Sequence, residues 1–129
     1  MQLVIEPNNG IPIYEQIVRQ VKYAVAEGVL VPGEMIPSVR ELSRELTVNP
    51  NTVQRAVQQL QAEQIIEPLR GRGLMVCTGA KRQCVTDRQN VLRDQLETLV
   101  GEAVQSGLAP ERLREMFDRA LTQSLARKQ

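Results

Sequence analysis

The sequence predicts an α+β chain in which three short helices and a small β-hairpin are followed by two longer helices. Three observations carry that expectation. Apolar residues recur at helical spacing in three stretches before Ala62, two short apolar runs flank Arg70-Gly71-Arg72-Gly73, and helical spacing resumes from Asp87 onward. In 129 residues there is room for one compact domain and a small appendage. Hydrophobic content of 42% supports a buried core, and with Tyr14, Tyr23 and Phe117 the only aromatics, that core is aliphatic.

The chain opens with a β-like run, Leu3-Val4-Ile5, ended by the breaker Pro7-Asn8-Asn9-Gly10. A helix is expected from Ile11, with Pro12 in its first turn, where a missing N–H costs nothing. Ile13, Ile17, Val21, Ala24 and Val25 keep helical spacing, and Tyr14 and Val18 widen the stripe. Gly28 suits the position just past the helix end. These side chains are read as core. Val31-Pro32-Gly33-Glu34 is a turn signal before Met35-Ile36, a short strand able to join the hairpin as its third member.

Ser38 followed three residues later by Glu41 is a capping box, in which each side chain satisfies an orphan amide at a helix start. Val39, Leu42 and Leu46 share one face of this second helix, while Arg40, Glu41, Arg44 and Glu45 fall off it. Thr47-Val48 breaks the pattern. Asn49-Pro50 opens a third helix, because Asn caps well and Pro is suited to the first helical position. Val53, Ala56, Val57 and Leu60 form its apolar stripe, and the opposite side carries Asn51, Thr52, Gln54, Arg55, Gln58, Gln59 and Gln61. No acidic residue occurs on it before Glu63. A merely solvated helix mixes Glu with Lys. A side built from amides and Arg suits DNA, since amides pair with adenine and Arg with guanine or phosphate. Taken alone, this side is equally compatible with an ordinary polar surface helix.

The hairpin tips that balance. Ile65-Ile66-Glu67-Pro68-Leu69 and Leu74-Met75-Val76 flank a tip in which two glycines permit positive φ and two arginines supply charge. A solvated tip is a common use of Arg-Gly-Arg-Gly in isolation. Behind a helix-turn-helix, however, a basic hairpin makes a winged helix-turn-helix, which places its third helix in the major groove and its wing on phosphates or the narrow minor groove. Residues 1–77 are therefore expected to form a winged helix-turn-helix DNA-binding domain.

Cys77-Thr78-Gly79-Ala80-Lys81-Arg82-Gln83-Cys84-Val85 loses periodicity, so residues 78–86 are expected to be a linker. From Asp87 a helix should run to about Gln105, with Val91, Leu92, Leu96, Leu99, Val100, Ala103 and Val104 on a broad apolar side interrupted by Gln95. Ser106-Gly107 ends it, Ala109-Pro110-Glu111 starts another, and Leu113, Met116, Phe117, Ala120, Leu121 and Leu125 form the next stripe. Two amphipathic helices bury too little alone. Residues 87–129 are accordingly expected to dimerise through Leu92, Leu96, Leu99, Val100, Leu113, Met116, Phe117 and Leu121; docking on the chain's own first domain is the rival.

Composition narrows the function. The sequence has no His, which removes the usual general base and a common metal ligand, and Cys77 and Cys84 stand without a partner cluster. No nucleophile–base pair is visible, so no enzyme, cofactor or metal is expected. The lack of stacking aromatics disfavours RNA and single strands. Net charge is only +1, so any electrostatic footprint is local and rests on Arg40, Arg44, Arg55, Arg70 and Arg72. Neither a signal peptide nor a membrane-spanning run is present, and a cytoplasmic protein is expected.

The stretches PSVREL, NPNTVQRAVQQL and RGRGLMV closely resemble the GntR family of bacterial transcription regulators, and Asn49-Pro50-Asn51-Thr52 with the short tail is similar to its YtrA subfamily. The resemblance spans residues 10–77 by motif. It implies a regulator, expected to be a repressor, that binds an inverted repeat of double-stranded DNA as a homodimer. It also implies contacts to DNA from Arg40, from Asn49, Asn51 and Thr52 with the free amides of the third helix's start, from Gln54 and Arg55, and from Arg70, Gly71 and Arg72 at the wing tip. A small-molecule effector, if one is used, is expected between subunits or between the head and the tail helices. Three positions depart from the family pattern. Gln64 replaces the usual Gly after the third helix, Leu74-Met75 replace Thr-Phe, and Val57 stands where the subfamily often has Tyr. A winged helix that binds protein instead of DNA is the alternative function.

Overall fold

The computed structural model describes residues 2–128. Their elements are α1 (Ile13–Ala26), β1 (Met35–Ile36), α2 (Val39–Leu46), α3 (Pro50–Ala62), β2 (Ile66–Leu69), β3 (Gly73–Val76), α4 (Ala80–Gln105) and α5 (Pro110–Lys128). The chain divides into two compact units, Met1–Gln89 and Asn90–Gln129. The first carries three helices, a small sheet and the start of α4, which is an α+β winged helix-turn-helix.

The core of the first unit is aliphatic, as composition requires. Ile17, Val21 and Val25 of α1 meet Val53, Ala56, Val57 and Leu60 of α3, with Ile65, Ile66, Leu74 and Val76 closing the sheet side. Each fully buried side chain of this size contributes about 1.5–3 kcal/mol of transfer free energy. The sheet order is β1-β3-β2, all antiparallel, with Met35 opposite Met75 and Leu69 opposite Gly73. Met35-Ile36 thus joins the hairpin as the third strand.

Leu3-Val4-Ile5, expected to be β-like, forms no strand. The backbone there is satisfied by α1 side chains. Gln20 accepts from the Val4 amide at 2.8 Å and donates to the Val4 carbonyl at 2.6 Å. Gln16, a buried polar side chain of α1, accepts from the Glu6 amide at 2.9 Å and donates to the carbonyls of Glu6 and Ile11, each at 2.9 Å. Two glutamines do the work of a neighbouring strand, which no local pattern announces.

The linker expected at 78–86 is a second correction: α4 begins at Ala80, not Asp87. Ala80 and Cys84 are buried against the core, and two contacts fix the next turn to α1. Lys22 Nζ lies 2.7 Å from Glu63 and 2.9 Å from Asp87, and the Arg88 guanidinium stacks 3.9 Å above the Tyr23 ring. Burial alone would lower the Lys22 pKa, but the hydrogen bonds to Glu63 and Asp87 hold it above its usual value. Burial pushes the Cys84 thiol up to about 11, so it is a packing residue and stays protonated. Both cysteines are free.

In the second unit α4 continues to Gln105, the chain reverses through Gly107 at φ +81°, and α5 follows from Pro110. The apolar sides of the two helices are not closed against each other. Leu96, Leu99, Val100, Leu113, Met116 and Phe117 line an open apolar cleft of about 550 Å³. Leu99 keeps 60% of its surface exposed and Phe117 51%.

Candidate nucleic-acid interface

The reading head is built by local signals that the chain obeys closely. Ser38 accepts from the Glu41 amide at 3.3 Å, and its hydroxyl donates to the Glu41 carboxylate at 3.3 Å, which starts α2 one residue before Arg40. Arg40 is exposed. Thr47 then adopts φ +54° and stops α2, so the chain turns sharply into the Asn49 cap of α3.

At the start of α3 the structure corrects one expectation. Asn49 Oδ1 accepts from the Asn51 amide at 2.8 Å, the Asn49 carbonyl accepts from Thr52 and Val53, and Pro50 has no amide to offer. The first-turn amides are consumed inside the helix start. A phosphate meeting this end finds side chains, not a free-amide nest. The carbonyl oxygen of the Asn49 amide is committed to capping, leaving its amino group available.

Beyond the cap, Asn51, Gln54, Arg55, Gln58 and Gln59 are exposed, Thr52 is half-buried, and Val53, Ala56, Val57 and Leu60 on the other side are buried. The division between amide side and core side is the one that helical spacing gives. At the wing, the Arg72 amide donates to the Leu69 carbonyl at 2.9 Å, closing a tight turn. Gly71 at φ +73° and Gly73 at φ +103° adopt the left-handed backbone that any other residue resists. Arg70, Gly71 and Arg72 are exposed at its tip. Among the described residues no carboxylate lies within 4.0 Å of Arg40, Arg44, Arg55, Arg70 or Arg72, so their charge is not spent internally.

Residues 13–76 match the family model described as bacterial regulatory proteins, gntR family. Over 111 residues the chain is 41% identical to the HTH-type transcriptional repressor YtrA of Bacillus subtilis, covering 86% of this chain and 85% of that protein. The chain belongs to the GntR family of bacterial transcription regulators. It is thus a DNA-binding regulator, from a family defined by its reading head and not by an enzymatic reaction.

Solved structures of transcription regulators share the fold. A transcriptional regulator from Oenococcus oeni superposes with a TM-score of 0.78 at 31% identity, covering 93% of this chain and 99% of that one. YtrA from Sulfolobus acidocaldarius, described as a GntR-family transcription factor, gives 0.56 at 28% identity, covering 93% and 97%. In this GntR head the Arg55 guanidinium is not free in solvent but stacks 3.8 Å above the ring of Tyr14 in α1. Residue spacing gives no sign of that pair. Only the packing of α1 along α3 creates it: Tyr14–Arg55 and Lys22–Glu63 share one sequence offset, as two helices lying side by side in the same direction require.

Proposed function

We propose that the chain represses transcription by binding an inverted-repeat operator as a homodimer, with residues 1–77 reading DNA and the helices from Asp87 pairing two copies. The observation that carries this reading is the exposed side of α3, which presents Asn51, Gln54, Arg55, Gln58 and Gln59 with no carboxylate before Glu63. Amides and Arg at the base edges supply discrimination of about 1–3 kcal/mol per good bidentate pair. Arg70 and Arg72 at the wing, with Arg40 on α2, supply affinity that falls with salt. The similarity to the Bacillus subtilis repressor YtrA supports repression.

Pairing of two copies is supported by the tail. Its large apolar side chains remain exposed in the single chain, Leu92 at 46% and Leu121 at 48% among them. A contiguous uncovered patch of this kind is costly in water, and a second copy of the same pair of helices is the occupant of matching length and pattern. A twofold pair then presents two recognition helices to two half-sites.

Titrating a duplex carrying the selected site with Arg72→Ala tests the reading. Weaker binding is expected, with the slope of log affinity against log salt reduced by about 1 and an unchanged molar mass. An Arg72→Ala protein that binds with the wild-type slope would remove Arg72 from the interface.

A further inference from the structure

The stack of Arg55 on Tyr14 has a geometry suited to more than packing. A guanidinium held by its face over a ring keeps its edge, with the in-plane N–H donors, available to a further partner. The same edge is what pairs with the O6 and N7 of guanine or with two phosphate oxygens. Tyr14 is itself fixed: it is half-buried, packs against the core, and comes from α1, the helix lying along α3. Among the described residues Arg55 makes no ion pair, and its guanidinium carbon lies 3.8 Å over the Tyr14 ring, so the ring is the contact available to hold it.

We infer that Tyr14 is a positioning residue for DNA recognition, holding the Arg55 guanidinium flat and edge-outward before the operator arrives. An arginine side chain free in solvent loses its torsional freedom when it docks; one already stacked loses less. The inference rests on the reading of Arg55 as a DNA-facing residue. It assigns to α1, otherwise a supporting helix, a direct influence on specificity. The Tyr14 hydroxyl has no hydrogen-bond partner among the described residues, so the ring and not the oxygen is the working part.

A double-mutant cycle on the selected duplex tests this. Tyr14→Phe should bind as wild type, and Tyr14→Leu about fivefold more weakly, the size of a partly exposed cation–π contact. In an Arg55→Ala background Tyr14→Leu should have no further effect. Equal weakening by Tyr14→Leu in both backgrounds, or none in either, would overturn the inference. If Arg55→Ala itself binds as wild type, the DNA-facing reading of Arg55 is what has failed, and the inference falls with it. Thermal unfolding checks that Tyr14→Leu is folded; should it not be, Tyr14→Met carries the same cycle. That variant keeps apolar bulk and lacks the aromatic face, so a comparable loss is expected with Arg55 present and none in the Arg55→Ala background, and wild-type binding by it contradicts the role assigned to the ring.

Discussion

Gln64 holds φ +61° in the three-residue step between α3 and β2, where its amide donates to the Gln61 carbonyl at 3.0 Å and the next amide, of Ile65, reaches Leu60. The GntR pattern has Gly there, and the backbone shows why. An L-residue in the left-handed region costs about 1–2 kcal/mol. Gly removes that strain but adds roughly 0.5–1 kcal/mol of unfolded-chain entropy. Relief of strain wins, so Gln64→Gly should stabilise the head by about 0.5–1 kcal/mol, seen as a raised urea midpoint at unchanged slope. A lowered midpoint would mean that Gln64 makes a compensating contact. At this scale the sequence was informative wherever a residue acts on its own neighbours: the Ser38 cap, the Asn49 cap and the wing glycines all stand as their local chemistry requires. It was silent on pairs that only packing brings together. Tyr14 with Arg55, Lys22 with Glu63 and Asp87, and Gln16 with the Glu6 backbone each join residues from different segments.

The same division explains the elements. Helices α1, α2, α3 and α5 and the three strands follow periodicity and turn residues, and each begins within about two residues of where those signals place it. The start of α4 does not. Lys81, Arg82 and Gln83 are polar and exposed, so the stretch lacks an amphipathic stripe, and its helix is held by Ala80 and Cys84 in the core and by Lys22 on Asp87. The apolar side of the tail was legible as a pattern, though not what covers it. Leu99, 60% exposed in the single chain, supports a direct test. Leu99→Glu should leave helix content unchanged, because the side chain packs little within one copy, while the sedimentation mass falls from dimer to monomer. A Leu99→Glu protein that stays dimeric would place the subunit contact elsewhere.

At the scale of the whole molecule, a nearly neutral DNA-binding protein carries on its reading head five exposed arginines, Arg40, Arg44, Arg55, Arg70 and Arg72, that make no ion pair among the described residues. With net charge +1 the bulk field contributes little, so on the proposed function affinity is expected from the placement of Arg40, Arg55, Arg70 and Arg72 and from doubling the head through the tail. On that reading a single head is expected to bind more weakly than a pair, and a pair of tails without the amide side of α3 to select no site. Selection of binding sites from a random duplex pool, at stated salt, tests both halves at once. Enrichment of an inverted repeat with one fixed half-site spacing is expected. A pool that stays random, or a single unrepeated half-site bound by a monomer, would contradict it.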